Sequence, residues 1–270
     1  MLDGKTIGFI GGGNMAEAII KGLLAGGLST TSILVAEPVS SRRDFLAGEY
    51  GVELHEDNSD IVRRADIIIL AIKPQVAASV LTGLEPAISA DQLVISIMAG
   101  ISTDFIEKTF ASGARVIRVM PNTPALIQGA ATAVCAGRKA TQQDLEIARE
   151  IFSRVGTVVT IPEKQMDAVT GLSGSGPAYV FTFIEALADA GVKNGLPRDI
   201  AAQLAVQTVL GAARMVAETG EHPALLREKV TSPGGTTITA LHTLENGRFR
   251  GLLMDAVDSA CQRSKELSGK

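Results

Sequence analysis

The stretch Ile7–Ala16 reads IGFIGGGNMA, and its reading decides the fold of the first half of the chain. It closes a short β-branched run that begins at Lys5, and Gly11-x-Gly13-x-x-Ala16 follows at once. Asn14–Ala25 then shows helical spacing, with Ala18, Ile19, Leu23 and Leu24 apolar. Strand, glycine turn and helix, in that order, form the context in which such a motif holds a dinucleotide. Gly11 permits the tight turn, Gly13 lets the backbone approach a pyrophosphate, and Ala16 allows close helix–strand packing. The helix N-terminus then faces the phosphates. A tight turn without a ligand would use the same residues.

Working outward, strand-like and helix-like segments alternate. Ile33–Ala36 is a second strand, and Ser40–Tyr50 is a polar helix candidate. Asp66–Ile72 reads DIIILAI, apolar on both faces, as a central parallel strand must be. Leu93–Ile97, Arg115–Val119, Ala131–Cys135 and Val158–Ile161 are further strand candidates. The alternation predicts an α/β fold with a mostly parallel sheet, a Rossmann domain over residues 1–162.

From Pro162 onward no strand pattern remains. Pro177 opens a helix that Gly195 closes, and Pro197 opens one that runs to about Thr219. Pro223 opens a short one, and Gly247 separates the last two. Residues 163–270 are therefore expected to be an all-α domain. The helix after Pro197, DIAAQLAVQTVLGAARMVAE, has little polar face, which predicts burial against another subunit. A central helix within its own domain is the alternative.

Composition narrows the function classes. Net charge is −4, which gives no basic field for nucleic-acid backbones. Cys135 and Cys261 lie far apart with no CxxC, and read as free, buried thiols in a reducing compartment. The three histidines show no metal-ligand spacing, so no metal site is expected. The N-terminus lacks a signal-peptide pattern, and neither Val119–Gly137 nor Ala168–Ile184 is a clean apolar span. A cytoplasmic, soluble protein without membrane or nucleic-acid partners is expected.

Glu37 ends the second strand, where an acid usually bonds the adenosine ribose diol and repels a 2′-phosphate. Ser40, Ser41, Arg42 and Arg43 follow, and two guanidinium groups at a helix start suit a 2′-phosphate or, equally, an ordinary solvated face. NADP(H) and NAD(H) both remain open on these residues. Lys73, before Pro74, sits at a strand C-terminus, where parallel sheets place ligands.

Several phrases then converge. They are AIKPQ at 71–75, SIMAG at 96–100, RVMPNTP at 118–124, DAVTGLSGSGPAY at 167–179 and VTSPGGTTITAL at 230–241. Together these resemble pyrroline-5-carboxylate reductase over residues 5 to about 268. The resemblance implies NAD(P)H-dependent reduction of 1-pyrroline-5-carboxylate to L-proline. It also implies a homo-oligomer, an interlocked dimer often built into a decamer. By the same resemblance the loop Ile10, Gly11, Gly12, Gly13, Asn14 and Met15 holds the pyrophosphate. Asn58, Ala71, Ile72, Lys73, Pro74, Ile97, Met98 and Ala99 line the cofactor, and Glu163, Thr236 and Thr237 match substrate positions. Glu37 departs from the small polar residue common there, and Lys229 stands where some members have an Asn.

The chemistry fits few protein groups. A cyclic imine takes hydride more readily when its nitrogen is protonated, and the cofactor supplies the hydride. Ser232, Gly234, Gly235, Thr236 and Thr237 suit the substrate carboxylate, because consecutive amides at a helix start converge on an anion. A plain Pro-Gly-Gly turn before a Thr-capped helix is the alternative. Thr237 is the candidate catalytic residue, its hydroxyl able to donate to and accept from the ring nitrogen. Ser175 and Gly176 read as a close-approach segment of the substrate pocket. Competing readings are a wider imine reductase, a β-hydroxyacid-type reductase and a non-catalytic nucleotide sensor. The second expects a lysine early in the helix after Gly176, yet none occurs before Lys193.

Overall fold

The structure is a computed structural model that describes residues 1–267; the last three residues of the expected helical domain, 268–270, lie outside the described residues. Eight strands form one sheet: β1 Ile7–Ile10, β2 Ile33–Ala36, β3 Glu53–His55, β4 Ile67–Leu70, β5 Leu93–Ser96, β6 Arg115–Met120, β7 Ala130–Ala136 and β8 Gly156–Thr160. Their order is β3-β2-β1-β4-β5-β6-β7-β8. The first six are parallel; β7 runs antiparallel to β6 and parallel to β8. The order of the first six is that of a doubly wound dinucleotide-binding sheet.

The sequence reading missed β3. It is three residues long, lies at the sheet edge and is only partly covered, so it lacks the apolar run that marks the central strands. Asp66–Ile72 is trimmed to Ile67–Leu70, the paired register with β1 and β5 ending at Leu70. Within β4, Ile67 and Ile69 join one hydrophobic cluster while Ile68 and Leu70 join the other. The unbroken isoleucine run thus feeds both faces of the sheet, as a strand under two helical layers requires.

One layer holds α1 (Asn14–Ala25), whose Ile19, Ile20 and Leu23 pack on the first cluster. Next in the chain come α2 (Ser40–Tyr50), α3 (Asn58–Val62), α4 (Ala77–Leu84) and α5 (Thr103–Thr109). Ile61, Leu81, Leu84 and Ile106 pack on the opposite face. α6 (Gln142–Ser153) returns to the first layer through Ile147, Ile151 and Phe152. A short helix α7 (Met166–Val169) and a wide turn over Thr170–Gly174 follow. After these come α8 (Gly176–Lys193), α9 (Arg198–Thr219), α10 (Pro223–Lys229), α11 (Thr236–Asn246) and α12 (Phe249–Leu267).

The chain divides into two compact units, residues 1–175 with 259–267, and Gly176–Asp258. Residues 163–175 pack with the sheet-bearing unit. Met166 is buried beside Ala133 and Cys135, and the buried Asp167 carboxylate accepts from Ser264 at 2.8 Å. Cys135 and Cys261 are free thiols; Cys135 is buried as expected, but Cys261 is only half-buried.

In the second unit α8 packs along α9, yet only Ala201 and Ala205 of α9 are buried. Leu204, Val206, Leu210 and Met215 are each about half exposed. An apolar groove of about 510 Å³ is lined by Tyr179, Phe183, Val209, Phe249 and Leu253, among others. Among the described residues, α9 alone is long and apolar enough to cross a membrane by length and composition.

α6 is fixed by a capping box in which Thr141 Oγ1 accepts from Asp144 N, and Asp144 accepts from Thr141 N at 2.8 Å. The Asp144 carboxylate is wholly buried and also takes Arg115 Nη1 at 2.7 Å. Asp144→Ala is expected to lower stability by about 2 kcal/mol, the upper end for a lost cap with a severed ion pair. Thermal melting at fixed protein concentration measures it, and an unchanged midpoint would show that the cap contributes nothing.

Candidate functional site

The glycine loop is built by two close approaches. Gly11 has φ +98°, and a Cβ there would stand 2.6 Å from the carbonyl oxygen of Ala71, so only glycine fits the turn. Its amide donates to Ala36 O at 2.8 Å, tying the loop to β2. Gly13 is the opposite case. It is the N-cap of α1, no side chain caps that helix, and the space a Cβ would fill is open to 4 Å. First-turn amides without a side-chain cap, beside an unfilled cradle, suit the pyrophosphate of a dinucleotide. Asn14 and Met15 open this helix, and Ala16 is buried where it meets the sheet.

Glu37 and Arg42 do not stand free beside this loop. The Glu37 carboxylate is buried and accepts from Gly12 N at 2.8 Å and from Val39 N at 3.0 Å. Arg42 donates through Nε to Gly12 O at 2.6 Å and through Nη2 to Glu17 at 2.5 Å. Arg43 donates to the carbonyls of Glu37 and Pro38. Tyr50 completes the network, its hydroxyl donating to Glu17 at 2.8 Å. Burial and the Glu17 carboxylate push the Tyr50 phenol up to about 12. Burial works against ionisation of Glu17, yet Arg42 and Tyr50 outweigh it and hold the carboxyl below its usual value. Glu17 and Tyr50 were not picked out from sequence. The available signal was the helical acid four positions after Gly13, which meets Arg42 of α2.

The ends of β4 and β5 lie alongside. Ala71 N donates to Ile10 O at 2.9 Å, and Ile97 N to Leu70 O at 3.2 Å. Ala71, Ile72 and Pro74 are half-buried, and Lys73 is exposed. Met98 is buried, its amide reaching Ser96 Oγ, and Ala99 is half-buried before Gly100. Segments 10–15, 71–74 and 97–99 therefore meet at the carboxyl ends of neighbouring parallel strands. Asn58 opens α3 and lines a separate hollow of about 280 Å³ with Ser59, Ser79 and Gly83.

Glu163 makes contacts the sequence did not suggest. Its carboxylate accepts from Thr103 N at 2.7 Å, from Thr103 Oγ1 at 2.6 Å and from Arg118 Nη1 at 3.3 Å. It thereby caps α5 from outside the helix. Arg118 is 1% exposed in the middle of β6, and its Nη2 is buried with no hydrogen-bond partner. Burial pushes the neighbouring Cys135 thiol up to about 12, Glu163 adding to the shift and Arg118 opposing it. A charged residue inside the apolar run RVIRVM was the sequence signal for a buried partner. Ser175 follows the wide turn at 170–174, which Asn122 braces by donating to Ser173 O at 3.0 Å. Gly176 begins α8.

In the second unit, Gly235 rather than a threonine is the N-cap of α11, again with no side-chain cap. Thr236 and Thr237 are the first two helical residues, and Gly234 takes φ +66°. Gly234, Gly235 and Thr236 line a shallow hollow of about 390 Å³ with Thr239, Ala240 and Thr243. Thr237 is half-buried and outside that lining, and Ser232 is exposed. Lys229 is ion-paired with Glu221.

Residues 163–267 match the family model described as pyrroline-5-carboxylate reductase dimerisation, and residues 6–100 match that described as NADP oxidoreductase coenzyme F420-dependent. The chain is 48% identical to pyrroline-5-carboxylate reductase of Methanosarcina acetivorans, covering 100% of both. Among solved structures, a pyrroline-5-carboxylate reductase from Coxiella burnetii superposes with TM-score 0.92 at 41% identity, covering 98% of each chain. The Plasmodium falciparum pyrroline carboxylate reductase, solved with NADP bound, superposes with TM-score 0.89 at 33% identity, covering 98% of this chain and 99% of that one.

Glu163→Ala would strand the Arg118 guanidinium inside the sheet. A loss of about 3 kcal/mol is expected, discounted from a fully buried pair because Glu163 is partly exposed. A fall in melting temperature checks it. An unchanged midpoint with a raised substrate KM would make Glu163 a substrate contact instead.

Proposed function

Since the chain belongs to the pyrroline-5-carboxylate reductase family, we infer that it is an oxidoreductase that reduces the C=N bond of 1-pyrroline-5-carboxylate to give L-proline. This is the last step of proline synthesis, and NADP(H) is the cofactor. The observation that carries the reading is full-length identity of 48% to a relative of that name. The Plasmodium relative with NADP bound and the match over residues 6–100 support the cofactor. The bound nicotinamide supplies the hydride.

The chain's own residues bind, orient and protonate. Gly11, Gly12, Gly13, Asn14 and Met15 hold the pyrophosphate, Gly13 leaving room and the uncapped first turn of α1 supplying N–H donors. Residues 71–74 and 97–99, at adjacent strand ends, flank the nicotinamide half. The amides at the start of α11, uncapped by any side chain, hold the substrate carboxylate. Ser232, Gly234, Gly235 and Thr236 shape that hollow. Ser175 and Gly176 contribute backbone without bulk. Thr237 Oγ1 bonds the ring nitrogen and, as donor and acceptor, serves both the imine and the amine. The nitrogen of the reduced ring gains one proton, which this hydroxyl is placed in sequence to relay.

The assembly is a homo-oligomer built through the helical region, supported by the dimerisation family match and by the exposed apolar side chains of α8, α9 and α12. A second copy covering this surface accounts for the apolar length of α9 without a membrane. A dimer-based decamer rests on family resemblance. A cytoplasmic location is supported by the two free, widely spaced thiols.

Purified protein is expected to oxidise NADPH only when 1-pyrroline-5-carboxylate is present, forming proline in equal amount. Folded oligomer that oxidises neither NADPH nor NADH would refute the reading and favour a sensor. Thr237→Ala is expected to lower kcat about 100-fold or more, the usual contribution of a positioned proton donor, with NADPH affinity unchanged. Thr237→Ser should retain most activity. Full turnover in the alanine variant would remove Thr237 from the mechanism.

A further inference from the structure

An acid at the end of the second strand of a dinucleotide-binding sheet ordinarily reads the ribose, and the nearby arginine would ordinarily be assigned to a 2′-phosphate. The geometry points elsewhere. Glu37 holds the N–H of the Gly12 peptide region at 2.8 Å, while Arg42 Nε holds the Gly12 carbonyl at 2.6 Å. One residue of the nucleotide loop is thus gripped on both sides by charged groups from the next strand and helix. We propose that Glu37 and Arg42 are a pair of positioning residues that fix Gly12 for the dinucleotide, so that Glu37 organises the loop and does not select between NADPH and NADH. The proposal rests on the nucleotide-dependent reading of this site given above.

Each half of the clamp is itself anchored. Both Glu37 oxygens accept backbone N–H groups, and the residue is 9% exposed. The carboxylate therefore faces the chain and not the solvent where a ribose would arrive. Gly12 packs so closely that a Cβ on it would stand 3.2 Å from Glu37 Cβ and 2.8 Å from Leu46. The Arg42 guanidinium is held by Glu17 and lies 5.0 Å over the Phe45 ring. Tyr50 in turn holds the other oxygen of Glu17. Moving Arg42 onto a phosphate would break the Glu17 ion pair, the Gly12 bond and the ring contact together. Charged hydrogen bonds aimed at backbone make a rigid loop, and a rigid loop loses less freedom on binding.

The test uses the full chain. NADPH and NADH dissociation constants are measured by fluorescence titration for the unmodified protein, Glu37→Ala, Glu37→Gln and Arg42→Ala. Backbone hydrogen exchange over residues 10–16 is followed without nucleotide, with β6 as the internal reference. Glu37→Ala and Arg42→Ala are each expected to weaken both nucleotides about tenfold, leaving their ratio unchanged, as loss of one charged hydrogen bond implies. The 10–16 segment should exchange faster while β6 does not. Glu37→Gln keeps the shape and one acceptor oxygen, and should fall between. Tighter NADPH and weaker NADH binding in Glu37→Ala, or a loss confined to NADPH in Arg42→Ala, would overturn the inference while leaving the functional reading intact. Unchanged affinities and exchange would overturn it as well. No binding of either nucleotide by the unmodified protein would overturn both.

Discussion

The nucleotide end of the sheet depends on one turn. At Gly11 the chain passes from β1 into α1 in a conformation that L side chains rarely adopt, with the Ala71 carbonyl oxygen 2.6 Å from where a Cβ would be. That closeness is a product of the parallel pairing of β1 with β4, continued past the strand end by Ala71 N donating to Ile10 O. The same register carries on to Ile97, bonded to Leu70 O. Three segments far apart in sequence are thereby brought to the carboxyl ends of adjacent strands. Open parallel sheets bind ligands there because helix N-termini and free strand-end amides converge at that edge. The site is thus a consequence of strand order, and the glycine is the condition that lets the chain close it.

A second constraint governs the helical region. Apolar burial contributes roughly 1.5–3 kcal/mol for each large side chain removed from water. On α9 alone Leu204, Val206, Leu210 and Met215 stand about half exposed, and α12 adds Leu252 and Met254. A unit of this size leaving so much apolar surface in water would have little net stability. Association that covers this surface would stabilise it, and stability would then depend on protomer concentration. The near-uniform apolarity that made α9 stand out in the sequence is the same property, read before the partner is known.

How much was legible follows from where each signal originates. The glycine turn, the central strands and the Pro- and Gly-bounded helices could be read because burial on both faces, and punctuation by special backbones, are local in sequence. β3 escaped because an edge strand of three residues carries neither. The packing of residues 163–175 escaped for a different reason. These residues have no strand pattern, yet Glu163, Met166 and Asp167 are tied to Thr103, Ala133 and Ser264, contacts that no local pattern encodes. The partners of Glu37 and Arg42 were hidden in the same way, since a carboxylate that bonds a backbone amide leaves no complementary side chain to find.

The conspicuous charges carry a further lesson about this chemistry. Glu37, Arg42, Glu17, Arg118 and Glu163 would head any search for acid–base pairs, and each is engaged with backbone or with another of the set. Reduction of an iminium asks for little more than alignment, a bound carboxylate and one exchangeable proton. A strong acid or base beside the reacting carbon would gain nothing, and an unpaired charge there would have to be desolvated when the rings stack. The chain instead presents uncapped helix starts, at Gly13 beside two further glycines and at Gly235 beside Thr236 and Thr237. Fixed backbone dipoles do not titrate, so a binding surface built from them would keep one charge state as pH changes. At the first of these helix starts, Glu37 and Arg42 hold the adjoining Gly12 backbone.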